Sequence, residues 1–226
     1  MRTAFLMLSS SLAVTVLCGQ DIVKLAPDKA FVEFENAQVR VLRFKEPAGS
    51  KLPMHSHPAY VAIGLTNDYA RYTYADGRTA DERTKPGAVS FSGPTTHASA
   101  DLGNNPSQGI VIELKTPAAG GSATGSLDAA ATDPKHVKVE LDNDMVRVLR
   151  YTVGPHETVP MHEHPAYVLV NLASSQLKTT FGDGRTEETS AGPGEVRFSG
   201  AVKHSNENLS DHPSEVIVVE LKTSAM

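Results

Sequence analysis

The sequence predicts an all-β chain of two tandem antiparallel barrels, and three observations predict it. The chain is written twice: shifted by 107 residues, Val32–Thr116 aligns with Val139–Thr223 without a gap, and 38 of those 85 positions are identical. Each copy consists of short runs rich in Val, Ile, Tyr and Phe, punctuated by Gly, Pro, Asn and Asp, which is the composition of strands joined by turns. Beyond the N-terminal twenty residues, no stretch holds a 3.6-residue apolar period over three turns. A period of 107 is too long for a solenoid, so the duplication describes two domains of about 90 residues, near the small end of the domain range. Short strands at regular spacing in units of that size fit small jelly-roll barrels.

Residues 1–20, MRTAFLMLSSSLAVTVLCGQ, stand apart. A single arginine precedes an uncharged, mostly apolar stretch, and small residues lie around Cys18 to Gln20. This is the pattern of a secretory signal peptide, which places the mature protein in the periplasm or outside the cell. The stretch is short for a membrane span and Ser9, Ser10 and Ser11 dilute it. Lipidation of Cys18 is the lesser reading, because Leu17 stands where a small residue is expected. Cys18 is the only cysteine, which excludes an internal disulfide and any multi-cysteine zinc site.

The first domain is expected over 27–116. Its strand signals are Val39–Phe44, Tyr60–Leu65, Ala70–Tyr74, Ala88–Phe91 and Ile110–Lys115. Asp76-Gly77 favours a tight hairpin turn and Pro86-Gly87 another. Residues 117–134 are dominated by Gly, Ala and Ser, the composition of a linker or surface excursion. The second domain follows over 135–226 and repeats the motifs: VRVLR at Val39 and Val146, PMHxHPAYV at Pro53 and Pro160, DGRT at Asp76 and Asp183, FSG at Phe91 and Phe198, ELKT at Glu113 and Glu220.

Six of the nine histidines occupy matching places in the two copies. His55 and His57, like His162 and His164, form a His-x-His pair, and residues two apart on a strand face the same way. His97 and His204 each follow the Pro-Gly turn and a short strand. If that strand neighbours the first, its end brings a third imidazole to the pair. Three neutral imidazoles make a site for a divalent transition metal with positions left open, and the ligands alone do not choose among Fe, Mn, Zn, Ni and Cu. His136, His156 and His212 have no counterparts and are read as surface residues. Met54 and Met161 precede the pairs and are expected to point away from them, as packing residues.

These motifs resemble those of the cupin superfamily. Gly49 followed through to His55-x-His57 resembles the first cupin motif, and Pro86-Gly87 through Phe91 to His97 the second; His156-Glu157 through His162-x-His164, and Pro193-Gly194 to His204, are the counterparts. The resemblance covers essentially all of the chain after residue 20 and implies a bicupin, one small jelly-roll barrel per copy with the site inside. Three departures stand out. The glutamate usual after three or four intervening residues beyond the second histidine is replaced by Val61 and Ala62, and by Val168 and Leu169. His156 replaces the opening glycine of copy two, and the second motif is about one residue short. The resemblance therefore implies three-histidine sites rather than four-ligand ones.

Tyr60 and Tyr167 follow the second histidine by three residues, so each is a candidate pocket residue and equally a barrel-wall aromatic. Glu207, three residues after His204, is a candidate partner for an imidazole or else a solvated carboxylate. Arg43 and Arg150 run in phase with Val39 and Val41, and either an inward role toward an anionic substrate or a solvated strand end fits. Lys203, Arg197 and Glu195 replace Thr96, Ser90 and Ala88, giving copy two a more charged surface or mouth. No catalytic base is visible.

The net charge of −5, with no basic run, excludes nucleic acid and anionic membrane as first partners. Two functions remain: a metal-dependent enzyme acting on a small molecule, by oxygenation, isomerisation or lyase chemistry in the order the resemblance implies; or a non-catalytic bicupin that binds a small ligand or serves as structure. Sequestration of metal is a third and weaker reading. Homo-oligomerisation is left open.

Overall fold

The computed structural model describes residues 20–115 and 127–222. Residues 1–19, on which the signal-peptide expectation and Cys18 fall, lie outside the described residues, as do residues 117–126 of the expected linker. The first repeat begins with a one-turn helix, α1 (Ile22–Leu25), followed by β1 (Ala30–Glu35), β2 (Val39–Glu46), β3 (Lys51–His57), β4 (Tyr60–Gly64), β5 (Asp68–Tyr74), β6 (Thr79–Thr84), β7 (Val89–Ser92), β8 (Thr95–Asp101) and β9 (Ser107–Leu114). The second repeats it with α2 (Ala129–Thr132), β10 (Val137–Asp142), β11 (Val146–Val153), β12 (Thr158–His164), β13 (Tyr167–Asn171), β14 (Ser175–Phe181), β15 (Thr186–Ala191), β16 (Val196–Ser199), β17 (Val202–Asn208) and β18 (Ser214–Leu221).

Each repeat folds into two antiparallel sheets. The five-stranded sheet has the order β1-β2-β9-β4-β7 and the four-stranded sheet the order β3-β8-β5-β6, and both are reproduced strand for strand in the second repeat. Neighbours in sheet order are seldom neighbours in sequence, which is the jelly-roll signature. The expected strands correspond to β2, β4, β5, β7 and β9. The third histidine, however, is not at the end of the strand after the Pro-Gly turn. That strand, β7, belongs to the five-stranded sheet; a short turn then crosses to β8 in the other sheet, and His97 lies there.

The duplication also reaches further than composition indicates. Asp21 caps α1 by accepting from Val23 N, and Asp128, 107 residues on, caps α2 by accepting from Ala131 N. Gln20 O and Leu127 O each accept a hydrogen bond from the middle of the histidine strand, from Ser56 N and Glu163 N. Residues 127–134, linker-like in composition, are thus the entry segment of the second barrel; Ala129 is buried in that barrel's core.

The barrels share a core. Val39, Val41, Val61, Ile63, Ile110 and Ile112 pack with Val146, Val148, Val168, Val170, Ile217 and Val219 in one apolar cluster. Strands β2, β4 and β9 are therefore apolar on both faces: one set of side chains lines its own barrel and the alternate set meets the other barrel. This decides the role of Arg43 and Arg150. Being in phase with the valines, they face the partner barrel rather than the cavity of their own barrel. Arg43 Nη2 donates to Gly194 O at 2.6 Å, and Arg150 Nη2 to Gly87 O at 2.5 Å. Each arginine thus holds the Pro-Gly turn of the opposite barrel, a reciprocal clamp.

Among the unmatched histidines, His156 and His212 are exposed. His136 corrects the surface reading: it is buried, with Nδ1 2.6 Å from Asp133 Oδ2 and Nε2 2.9 Å from Glu157 Oε2.

Candidate metal centres

Strand β3 meets β8 with His55 directly opposite His97, and β12 meets β17 with His162 opposite His204. A bulge sits just before each pair: two residues, Pro53-Met54 or Pro160-Met161, oppose one on the partner strand. The proline has no N–H to give the ladder, and the extra residue turns the following His-x-His inward. Its freed carbonyl is used. His55 Nδ1 donates to Pro53 O and His162 Nδ1 to Pro160 O, each at 2.7 Å.

All six histidines are buried, and within each group the ligand atoms lie within 4.8 Å of one another. Ring centroids are 4.7 to 5.6 Å apart in the first barrel and 4.7 to 5.4 Å in the second. Burial, with the neighbouring imidazoles adding to it, lowers His55 and His162 to about 4 and His97 and His204 to about 3. These four are neutral bases at neutral pH, the form that ligates.

The second histidine of each pair has a carboxylate that sequence reasoning did not assign. His57 Nδ1 lies 2.6 Å from Glu113 Oε1, and His164 Nδ1 2.6 Å from Glu220 Oε1. These are the glutamates of the two ELKT motifs, on β9 and β18, and both are buried. An arginine of the VRVLR motif stands behind each, Arg40 Nη1 at 3.5 Å from Glu113 and Arg147 Nη1 at 3.7 Å from Glu220. The arginines are anchored in turn by the helix caps: Arg40 Nη2 is 2.9 Å from Asp21, and Arg147 pairs with Asp128. The relay Asp–Arg–Glu–His, which fixes ring orientation and tautomer, is the same in both barrels. A repeated carboxylate inside an apolar strand, IVIEL and VIVVEL, was the signal available for it.

The tautomers test whether a cation fits. A carbonyl only accepts, so His162 carries its proton on Nδ1; the Glu220 carboxylate, faced by Arg147, likewise accepts a hydrogen bond from His164 Nδ1–H. Both Nε2 atoms then present lone pairs, and they face each other at 3.1 Å. Such an arrangement is repulsive unless a positive centre sits between the nitrogens, and a divalent metal supplies one. The donor set fits the metal.

Of the other expected residues, Tyr60 and Tyr167 do lie beside the histidines, with ring centroids 5.2 Å from His57 and 4.9 Å from His164, and they line the cavities. Burial raises both phenols above the ordinary tyrosine range, with Ser92 and Ser199 partly offsetting it. Glu207 does not join the site. Alternation along β17 turns His204, Asn206 and Asn208 inward and Glu207 outward. Met54 and Met161 line neither cavity. In the slot of the missing glutamate, Val61 and Val168 are buried between the barrels, while Ala62 and Leu169 face the cavities.

The cavities differ. That of the second barrel is about 340 Å³ and that of the first about 130 Å³. Tyr72, its ring centroid 5.1 Å from that of His97, occupies space that Thr179 leaves open in the second barrel. The larger cavity presents Asn171, Ser175, Thr179, Asn206 and Asn208 together with apolar Leu169 and Phe181. At matching positions the smaller one has Glu46 and Asp68, where the second barrel has Val153 and Ser175.

No protein-family model and no curated protein sequence matches the chain. Solved structures do. AerE from Microcystis aeruginosa aligns over 85% of this chain and 92% of its own, at 12% identity and a TM-score of 0.64. The oxalate decarboxylase of Bacillus subtilis aligns over 91% and 73%, at 13% identity and 0.58. A cupin 2 conserved barrel domain protein from Leptotrichia buccalis aligns over 85% and 88%, at 10% identity and 0.54. At these identities the likeness concerns the fold. The chain has the bicupin architecture, two tandem cupin barrels, with a group of three histidines in each.

Proposed function

We propose that this chain is an exported metal-dependent bicupin enzyme whose second barrel acts on a small molecule. The observation that carries the reading is the convergence of three buried imidazoles, two of them with facing lone pairs, on the wall of the 340 Å³ cavity. His162, His164 and His204 would hold the metal of the second barrel, and His55, His57 and His97 that of the first. Bound there, a divalent metal supplies Lewis acidity and open positions for a substrate oxygen or dioxygen. Mn is one candidate, since the Bacillus subtilis oxalate decarboxylase has Mn(II) centres; Fe, Zn, Ni and Cu fit the same donors.

The protein's own groups do the rest. Glu220 holds His164 in one tautomer, with Arg147 and Asp128 fixing the carboxylate. Leu169 and Phe181 exclude water from one part of the cavity. The Asn206 amide and the Thr179 hydroxyl, bonded to each other beside His204, offer uncharged hydrogen bonds to a small, neutral, oxygen-bearing substrate, while Asn171, Ser175 and Asn208 are held by protein partners. Oxygenation, isomerisation and lyase chemistry are all compatible with such a pocket. The export reading rests on residues 1–20; among the described residues no helix is long and apolar enough to cross a membrane.

The test is elemental analysis of the purified chain beside the variant in which His55, His57 and His97 are alanine. About two equivalents of metal, falling to about one, are expected. No metal after incubation with Fe(II), Mn(II), Zn(II), Ni(II) and Cu(II) overturns the metalloenzyme reading. The second reading, a non-catalytic binding barrel, is favoured by the apolar Ala62 and Leu169 in the glutamate slot, and a metal-free chain that still binds a small molecule would establish it.

A further inference from the structure

We propose that the Tyr151 oxygen is a fourth donor to the metal of the second barrel, so that one chain holds two unlike centres, three imidazoles in the first barrel and three imidazoles with a phenol in the second. The inference rests on the metal reading above and goes beyond it. The identical run VRVLR leads into Phe44 on β2 and Tyr151 on β11, so two rings enter their barrels from the same place on the same strand. In the first barrel that ring ends in carbon, with its centroid 6.4 Å from that of His57. In the second its centroid lies 5.9 Å and 6.1 Å from those of His162 and His164, and its hydroxyl is 3.1 Å from His164 Nε2. Tyr151 is buried, so this hydroxyl belongs to the site and not to solvent.

The spacing fits a shared ion, as it also fits an O–H···N hydrogen bond from Tyr151 to His164. Metal–nitrogen bonds of about 2.0–2.1 Å set neighbouring donors about 3.0 Å apart in an octahedron and about 3.4 Å apart in a tetrahedron. His162 Nε2 and Tyr151 Oη both lie 3.1 Å from His164 Nε2. Both distances fall in this range. With Leu169 in the usual glutamate slot, the centre lacks a carboxylate oxygen, and Tyr151 offers an oxygen from a different strand. As its bond to the metal forms, the phenol O–H bond breaks and the proton passes to water in the cavity, as with other metal-bound protic ligands. A phenolate oxygen makes the second centre harder than the first and favours the higher oxidation state of iron.

The test uses the full chain with His55, His57 and His97 changed to alanine, which confines metal to the second barrel. Iron(II) is loaded without oxygen, its affinity measured by chelator competition, and the sample then oxidised. One equivalent of iron is expected, with the visible charge-transfer absorption of a phenolate bound to iron(III). Tyr151→Phe, which installs the residue the first barrel already uses, should keep the iron, lose the absorption and weaken affinity about tenfold. One equivalent of bound iron(III) without that absorption, or a Tyr151→Phe chain unchanged in absorption and affinity, overturns the proposal. A chain that takes up no iron overturns the metal reading and this donor with it, and the empty protein is readily told from a loaded, colourless one.

Discussion

The two barrels differ least where the imidazoles are held and most where a substrate would lie. The relay Asp21–Arg40–Glu113–His57 recurs as Asp128–Arg147–Glu220–His164, with the same 2.6 Å contact at its end. Yet Phe44, Glu46, Asp68, Tyr72 and Ser99 of the first cavity give way to Tyr151, Val153, Ser175, Thr179 and Asn206 in the second. Duplication followed by such divergence separates two properties that a single barrel confounds, the ability to hold a cation and the space to present it to a ligand. Position 72/179 carries most of the spatial difference. Thr179→Tyr should close the second cavity toward the 130 Å³ of the first while leaving its metal content intact. Tyr72→Thr should open the first at a stability cost of about 2 kcal/mol, below the usual range for a fully buried ring because Tyr72 is half-buried. Water-proton relaxation of Mn(II)-loaded chains, with the other barrel's histidines replaced, reads both changes: relaxivity should fall in the first variant and rise in the second. Equal relaxivity in the two wild-type barrels would break the assignment of the second as the accessible one.

The relay predicts equality where the cavities predict difference. Glu113→Gln and Glu220→Gln should each weaken metal binding in their own barrel by about 10–100-fold, the common effect of losing the group that orients a ligating histidine. Each variant also leaves an arginine without its buried carboxylate, so the apo proteins should unfold at lower urea as well. Metal affinity measured barrel by barrel checks this. One sharp asymmetry is available: Arg40 lies within hydrogen-bonding distance of Glu113 Oε2, whereas Glu220 Oε2 is buried with no hydrogen-bond partner. A larger loss in Glu113→Gln would show that the arginine contact contributes to holding the imidazole.

Much of this was legible in the sequence because duplication filters noise. A histidine repeated at an offset of 107 cannot be incidental surface decoration, and the DG and PG turns bound strands on either side of it. What stayed hidden involved faces and partners. Periodicity placed Arg43 in phase with Val41 but could not say that the face belonged to the neighbouring barrel, since a second apolar partner makes both faces of β2 buried. Glu113 was visible as a repeated letter, yet its contact with His57 spans 56 residues and two sheets. A four-residue helix, AAAT, is indistinguishable by composition from the Ala-rich segment before it, so composition extends the linker over residues 127–134; only the aspartate cap at the repeat offset distinguishes the helix. Three residues from His204, Glu207 is near in sequence, but strand parity turns it outward.

The carboxylates of the first cavity give a smaller effect with a defined pH sign. Burial, then the nearby Asp68 and Asp101, raise Glu46 above the ordinary glutamate range, with Ser50 partly offsetting them. A carboxyl whose folded-state value is raised holds its proton where the unfolded chain has lost it. Stability is therefore lost as pH rises from the unfolded value through the raised one. Glu46→Gln should thus stabilise the chain at pH 7 by on the order of 0.5–1 kcal/mol and have little effect near pH 4. Val153→Glu, the converse change, should destabilise with the opposite pH trend. Urea midpoints at the two pH values decide it; a Glu46→Gln benefit independent of pH would mean that packing, not ionisation, distinguishes the two sites.

The smallest predicted difference lies at the turn before each histidine strand. Gly49 has φ +71° and His156, its counterpart, φ +56°, the one non-glycine residue with positive φ among the described residues. The first barrel meets the left-handed conformation with the residue that adopts it freely, and the second with one for which it costs about 1 kcal/mol. A Cβ added at Gly49 would meet nothing within 4 Å. Gly49→Ala therefore isolates the backbone term: no clash accompanies it, and a loss of about 1 kcal/mol is expected. His156→Gly should gain less than that. Glycine loosens the unfolded chain, and the substitution removes the exposed 3.0 Å contact of His156 Nε2 with Asp211, which is worth little in water. Denaturant unfolding of the two variants orders the effects. If Gly49→Ala were silent while His156→Gly destabilised by more than about 1 kcal/mol, the histidine would be held there by its contacts rather than tolerated by a turn inherited from the repeat.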